Sequence, residues 1–374
     1  MVRIGMDARY AFRSQRRGIG QYVAEILSGL ARVDTGDTFI LYVDARADIG
    51  SLALPEGRFQ LRRLAARNPM IFEEIALPLA ARRDRLDLLH LTSNYGPTFP
   101  PCPTLYTVHD LIEFLRRELG PWQMDWRHHY GRAVRVRTLP WQARRARGII
   151  VPSAATRRDV LRILGVSEDR IWTVPFGAPR TQPTPPEDAR RRLRGRGYPV
   201  PEEYILGFAA LDPRKNWRLA VEAFERVVPD RPEAELWLVG IEDSSAYPPD
   251  SPPWLRLFSY LSRDDAMDLL QGATAFVYPS LYEGFGFPAL EAMSLGVPVI
   301  ASDSTSIPEV VGEAGILFPA KSHDALASAM LHILQDRDLC TDLSRQGRER
   351  AAAFRWDDAV AHHVEIYHRV GGAA

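Results

Sequence analysis

The chain has 374 residues, 46% of them apolar, with 47 basic and 47 acidic side chains and two cysteines. That length exceeds the roughly 250 to 300 residues at which one hydrophobic core stops growing, so two domains are expected. Cys102 and Cys340 are the only cysteines and lie far apart in sequence, so neither a disulfide framework nor a CxxC metal site is suggested. No run of about 18 apolar residues suggests a membrane span, and no short apolar stretch follows the N-terminus as in a signal peptide. A cytoplasmic protein, soluble or at most peripheral on the inner face of the cell membrane, is the expectation.

The first half reads as short β-rich runs alternating with amphipathic segments. "VRIGMD" (2–7) is a strand, followed by "RRGIGQYVAEIL", where Gly18, Ile19 and Gly20 stand just before a helix. This is part of a Gly-rich phosphate-binding fingerprint without the complete G-x-G-x-x-G. "TFILYVD", "LDLLHLT", "TLYTVHD" and "GIIVPS" continue the strands, and "AATRRDVLRILG" is a further helix. Such alternation predicts a parallel sheet with crossover helices. Two strand ends present His90 with Asn94 and His109 with Asp110, at the edge where open α/β sheets hold ligands. A packed His109 and a capping Asp110 is the plainer alternative.

Residues 1–178 carry 27 basic against 18 acidic side chains, and the remainder 20 against 29. Much of the excess lies in 116–147, where Arg116, Arg117, Arg127, Arg132, Arg135, Arg137, Arg144, Arg145 and Arg147 are interleaved with Trp122, Trp126 and Trp141. Basic and aromatic residues together suit an anionic membrane surface or a phosphorylated acceptor; a solvated Arg-rich helix pair is the alternative. No nucleic-acid motif accompanies the charge. Clustered prolines over 179–200 predict a linker, and the alternation restarts at "YILGFAAL" (204–211). Two α/β halves of this kind place a ligand cleft between them.

In the second half, "LDPRKNWRLAVEAF" offers Arg214 and Lys215 between a strand and a helix. The chain has 45 arginines and two lysines, so a lysine at this turn stands out. "YPSLYEGFGFPALEAMSLG" (278–296) then gives a strand-to-helix turn through Gly284, Phe285, Gly286 and Phe287. Its glycines let the backbone approach a ligand, and the helix N-terminus favours a phosphate. Glu283 precedes the turn and Glu291 lies one helical turn beyond it. Each carboxylate can accept from two adjacent sugar hydroxyls, or each can be an ordinary solvated glutamate.

Other features read as bland. His128-His129, His362-His363 and His368 lack partners for a metal site, and Asp336-Arg337-Asp338 falls on a helix. The tail predicts a packed amphipathic helix with Phe354, Trp356, Val360, Val364 and Tyr367 on one stripe.

The stretch from Glu283 to Glu291 resembles the E-x7-E signature of the retaining glycosyltransferases of family 4 (GT4), and "GVPVIASDSTSIPEVVGEAGILF" (296–318) is similar to the same family. The resemblance implies an α/β GT-B fold of two Rossmann-like domains facing a central cleft. Domain 1–178 would bind the acceptor and domain 201–353 the donor, with 179–200 as linker and the helix 354–374 crossing back. It implies transfer of a hexose from a nucleotide diphosphate sugar to a glycan or lipid-linked acceptor, with no metal or cofactor. Similarity to bacterial polysaccharide and O-antigen mannosyltransferases favours GDP-mannose, with a UDP-sugar as alternative.

The same resemblance assigns Glu283 to the transferred sugar, Glu291 to the ribose and Lys215 to the donor phosphates. The Gly18–Ile19–Gly20 loop and the turn 284–287 would complete the donor site. His109 would serve catalysis or the acceptor, with Asp110 and Asn94 beside it. Many members carry an arginine five or six residues before the lysine, where this chain has Ala210 and Ala209. Arg214 is the available substitute. A nucleotide-sugar epimerase or hydrolase, or a non-catalytic sugar-nucleotide-binding protein, are competing readings; a nicotinamide dehydrogenase lacks its fingerprint.

Overall fold

The computed structural model describes residues 1–13, 16, 18–66, 68–119, 126–241 and 252–372; for 116–119 and 126–131 it describes the backbone alone. Two units result: Met1–Phe114, Met124–Gly177 and Arg355–Ala374 form the first, Leu115–Gln123 and Ala178–Phe354 the second.

In chain order the first unit runs β1 (Arg3–Asp7), α1 (Gly18–Arg32), β2 (Thr38–Asp44), β3 (Phe59–Leu64) and the short α2 (Pro69–Ile71). A π-helical turn, Phe72–Ala76, leads into α3 (Leu77–Asp84), then β4 (Leu88–Leu91) and β5 (Thr104–Thr107). Helices α4 (Ile112–Leu119) and α5 (Trp126–Arg145) precede β6 (Gly148–Val151), α6 (Ala154–Asp159) and β7 (Ile171–Thr173). The sheet order is β3-β2-β1-β4-β5-β6-β7 with all pairings parallel. Strands β4, β5 and β6 are buried along their whole length, as expected of parallel strands covered on both faces. Chain direction across the sheet reverses between β1 and β4, so the loops after these two strands diverge and open a ligand-sized crevice.

The second unit runs α7 (Pro186–Gly195), β8 (Tyr204–Phe208), α8 (Trp217–Glu225), β9 (Glu235–Val239), β10 (Leu255–Phe258), α9 (Arg263–Gly272) and β11 (Ala275–Tyr278). It continues with α10 (Phe287–Ser294), β12 (Val299–Ser302), α11 (Ile307–Val311), β13 (Ile316–Phe318), α12 (His323–Gln335) and α13 (Arg337–Ala352). Its parallel sheet is ordered β10-β9-β8-β11-β12-β13, reversing between β8 and β11. Ile205, Leu236, Val277 and Ile300 from the sheet and Phe224 and Leu326 from the helices share one buried core.

Residues 179–200, expected as a linker, include α7, whose Arg192 and Arg196 pair with Asp268 of α9. This part of the chain is docked within the second unit. The helix α14 (Trp356–Gly371) belongs to the first unit. Its buried face is Trp356, Ala359, Val360, His363, Ile366, Tyr367 and Val370. The expected stripe is thus corrected: Phe354 lies in the second unit, Val364 is half-buried, and His363 takes a core position. Asp336 caps α13, its side chain accepting from the Leu339 amide.

Candidate functional site

The reversal between β8 and β11 brings together the two segments that sequence reasoning singled out. After β8 the chain makes a single 3-10 turn, Pro213–Lys215, capped by Asp212, which accepts from the Arg214 amide at 3.0 Å. After β11 it runs through 279–286 into α10. The two loops are tied by the Leu281 amide donating to the Arg214 carbonyl at 2.7 Å, and by Asn216 Nδ2 donating to the Pro279 carbonyl at 3.2 Å.

At their meeting point Glu283 receives two cations. Arg214 Nη1 donates to Oε2 at 2.6 Å and Lys215 Nζ to Oε1 at 2.8 Å. Asp212 holds the other side of Arg214, accepting from Nε at 2.7 Å. Burial works to raise the Glu283 pKa, and Lys215 and then Arg214 overcome it, holding the carboxyl at about 2. The ring of Tyr278 lies under Lys215, 5.3 Å from Nζ. Its buried hydroxyl is pushed well above the ordinary phenol range, first by burial and then by the Glu283 charge.

The backbone of Glu283 is pinned as firmly as its side chain. Thr305 Oγ1 accepts from the Glu283 amide and donates to its carbonyl, both at 3.0 Å, and Ser306 donates to the same carbonyl at 2.8 Å. Thr305 sits at φ 50°, uncommon for a β-branched residue and a conformation the surroundings must enforce. Gly286 has φ 117° and opens α10, a backbone state that a side chain rarely adopts. Phe285 is buried against Phe354, while Gly284 is buried and Phe287 half-buried beside it.

Glu291, one turn into α10, is held apart from this trio. Its side chain is largely buried, and burial raises its pKa, opposed by Arg263 at 3.8 Å. The two glutamates therefore have opposite electrostatic characters: Glu283 is firmly ionised and Glu291 is destabilised as an anion. Ala209 is buried and Ala210 half-buried. Arg214 is the arginine that reaches Glu283.

In the first unit, Gly18, Ile19 and Gly20 form the first turn of α1, and a Cβ at Gly20 would lie 2.7 Å from the Tyr10 carbonyl. His109 follows β5. Its Nε2 donates to the Thr92 carbonyl at 2.9 Å, and burial lowers its pKa to about 4. The ring is therefore neutral with Nδ1 as an acceptor. Asn94 accepts from the His109 amide and donates to the Asp110 carbonyl, both at 2.8 Å. Asp110 accepts from the Ile112 amide at 3.1 Å, a capping contact. Asn94 and Asp110 thus shape the strand end on which His109 is presented.

His90 faces the core instead. His363 Nδ1 lies 2.6 Å from the Ala359 carbonyl and must donate; with its pKa lowered by burial to about 4, its Nε2 accepts from Tyr22 at 2.8 Å. Tyr22 then accepts from Thr107 at 2.8 Å, Thr107 from His90 Nε2 at 2.9 Å, and His90 Nδ1 from Tyr367 at 2.8 Å. This one-directional chain of donors fixes both histidine tautomers. Tyr22 also meets the His109 ring edge-on at 5.0 Å.

Of the basic and aromatic residues in 116–147, Arg116, Arg117, Trp122, Trp126 and Arg127, like His128 and His129, lie outside the described side chains. Arg135 packs over Tyr95 at 4.2 Å, Arg145 over Trp141 at 4.3 Å, and Arg132 donates to the Glu113 carbonyl. Among the described residues, no helix is long and apolar enough to cross a membrane.

Sequence reasoning missed Tyr278, Asp212, Thr305, Ser306 and Arg263. Thr305 and Ser306 stood in a stretch already noted for its resemblance. Their role appears only once the 303–311 segment folds beside Glu283.

The pattern of the family described as Glycosyl transferases group 1 matches residues 194–350, and that of Glycosyltransferase Family 4 matches 16–182. O-antigen chain mannosyltransferase B of Escherichia coli is 29% identical, covering 94% of this chain and 95% of its own. The MMP alpha-(1->4)-mannosyltransferase of Mycolicibacterium hassiacum is 30% identical over 78% of this chain and 72% of its own. Among solved structures, sucrose-phosphate synthase from Thermosynechococcus elongatus has a TM-score of 0.73 at 20% identity, with full coverage of both chains. The fold is GT-B, and the chain belongs to the family 4 glycosyltransferases.

Proposed function

We propose that the protein transfers a mannosyl residue from GDP-mannose to a hydroxyl of a glycan or lipid-linked glycan, with retention of anomeric configuration and without a metal. The observation that carries this reading is the Arg214–Lys215–Glu283 trio at the reversal of the second sheet, beside the N-terminus of α10. The two relatives described above are named mannosyltransferases, which favours mannose over other hexoses.

In this reading the carboxylate of Glu283 holds the two cations until the donor diphosphate arrives. Arg214 and Lys215 then turn to the phosphates, supplying with the positive end of α10 the charge that a divalent cation would otherwise bring to the leaving group. Glu283, partly released, accepts from hydroxyls of the transferred sugar, and Glu291 accepts from the ribose. The C1–O bond to the diphosphate breaks and the acceptor oxygen takes its place at C1. The acceptor proton passes to a phosphate oxygen of the departing nucleotide. His109, neutral and with Nδ1 as acceptor, orients a hydroxyl of the acceptor sugar. The stretch 116–147 meets an anionic membrane on the cytoplasmic face.

The test is turnover of GDP-mannose and UDP-sugars against a panel of mannose oligosaccharides, with magnesium and with chelator. Transfer from GDP-mannose that survives chelation is expected. Donor consumption with no glycosidic product across the panel would sink the reading and favour a hydrolase or epimerase.

A further inference from the structure

Lys215 ends a three-residue 3-10 turn, Pro213–Lys215, which has little stability of its own. Two hydrogen bonds bracket the lysine, at residues 214 and 216, and both join the turn to the loop that follows β11. On one side the Leu281 amide donates to the Arg214 carbonyl at 2.7 Å; on the other, Asn216 Nδ2 donates to the Pro279 carbonyl at 3.2 Å. The first bond runs backbone to backbone and is indifferent to residue type. The second belongs to a side chain, and that side chain reaches further. Asn216 Nδ2 also donates to the Ala320 carbonyl at 3.1 Å, after β13, and the Ala320 amide donates to Asp303 Oδ1 at 3.2 Å, after β12. One amide group thus gathers the loops after β8, β11 and β13 at the sheet edge where Lys215 Nζ meets Glu283.

The backbone narrows what can stand at this position. Asn216 has φ 49° and ψ 28°, in the left-handed region that Gly, Asn and Asp adopt most readily. Its amide donates to the Pro213 carbonyl at 3.1 Å, closing the turn, and its carbonyl accepts from the Leu219 amide at 3.1 Å, opening α8. Glycine would bring no side-chain donor, and an ionised aspartate would turn acceptor oxygens towards two carbonyls. Of the three, asparagine alone combines tolerance of the left-handed turn with an NH2 group that serves two acceptors at once.

We infer that Asn216 is a positioning residue: its side chain sets where the Lys215 ammonium stands, and it acts on the donor diphosphate through Lys215 without touching the donor. The inference rests on the reading of Lys215 as a phosphate ligand, but nucleotide binding can be measured without transfer.

A double-mutant cycle on the full chain is the direct test. Asn216→Gly keeps the left-handed turn and removes both side-chain bonds, and its melting temperature checks that it folds. Misplacing a reacting group by about 1 Å costs on the order of 10²-fold, so Asn216→Gly should lower kcat for transfer from GDP-mannose about 10- to 100-fold. It should also weaken binding of GDP or UDP, titrated in parallel by calorimetry, about threefold or more. In a Lys215→Ala background the same substitution should change either quantity by less than about twofold, because the group it positions is gone. Asn216→Asp, which also suits the turn, should repeat the pattern. Losses of equal size in both backgrounds make Asn216 a purely structural residue and overturn the inference, as do wild-type values in Asn216→Gly. A non-additive cycle in nucleotide binding with no transfer from any nucleotide sugar would leave the positioning role standing and defeat the proposed function. Transfer with an additive cycle would do the reverse, and a wild-type chain that binds neither GDP nor UDP would defeat both.

Discussion

Replacing Glu283 by Gln tests the Arg214–Lys215–Glu283 trio through stability as well as ligand binding. Its carboxyl, ordinarily near 4.5, is held at about 2 by Lys215 and Arg214 against the opposing effect of burial. That difference of about 2.5 pH units, at ~1.36 kcal/mol each, corresponds to roughly 3 kcal/mol of folding free energy. The group is mostly shielded, 12% exposed at the side chain, so solvent screening removes little of it. The folded-state pKa is the lower one, so the contribution is complete above about pH 4.5 and is lost as pH falls towards about 2. Glu283→Gln should therefore destabilise the second unit by roughly 3 kcal/mol at neutral pH, with a gap that closes through that acid window. Hydrogen exchange of the β8 and β11 amides across pH, with urea unfolding beside it, measures this. GDP should raise the melting temperature of the variant more than that of the wild type, because two cations await an anion. A variant as stable as wild type at pH 7, or a gap independent of pH, would refute the reasoning.

Lys215→Ala should lower kcat by about 10²- to 10³-fold, the range for losing a donor aimed at transition-state charge; an unaltered kcat rules out that role. Glu291→Gln should raise the donor KM about tenfold with kcat near wild type, and a loss confined to kcat would mean that the two glutamates exchange roles. Because burial raises the Glu291 pKa, the wild-type donor KM should climb as pH falls through that raised value, and the variant should lack this limb. His109 and His363 are both lowered by burial to about 4. The first unit should accordingly lose stability as pH drops from about 6.5 to about 4, and protection of the β4 and β5 amides reports it. His363→Phe should cost about 1–3 kcal/mol by stranding the Tyr22 hydroxyl, seen as a lower unfolding midpoint.

Much of the candidate site in the second unit was readable because its residues are local in sequence. Glu283, the glycine turn and Glu291 fall within nine consecutive residues, and Lys215 was conspicuous in a chain that otherwise uses arginine. The turn at Arg214 and the helix at Phe287 followed from proline, glycine and strand periodicity. What escaped is what only the topology joins. Nothing in the sequence marked Asp212, and it takes a packed sheet to show that it clamps Arg214 onto Glu283. Glu73 meets Arg9 across 64 residues, and nothing in either neighbourhood marks the pair. His363 read as one of two idle histidines on a helix, because its partner Tyr22 lies 341 residues earlier. Its neighbour His362 is exposed. Asn94 and Asp110 were visible as polar strand ends, but their hydrogen bonds to the 109–112 backbone could not be read from residue type.

The hydrogen-bonded chain from Tyr367 to His363 has a consequence for biosynthesis. His90, Thr107 and Tyr22 are made early, yet the two groups that close their circuit, 277 and 341 residues distant, come from α14. A nascent chain holds these three polar groups in its first unit with the two ends of their chain, His90 Nδ1 and the Tyr22 hydroxyl, lacking their partners until residues 356–371 leave the ribosome. The second unit, which ends at Phe354, is complete before the first one is. A chain interrupted within α14 therefore has every residue of the second unit, while its first unit lacks the helix that seals it.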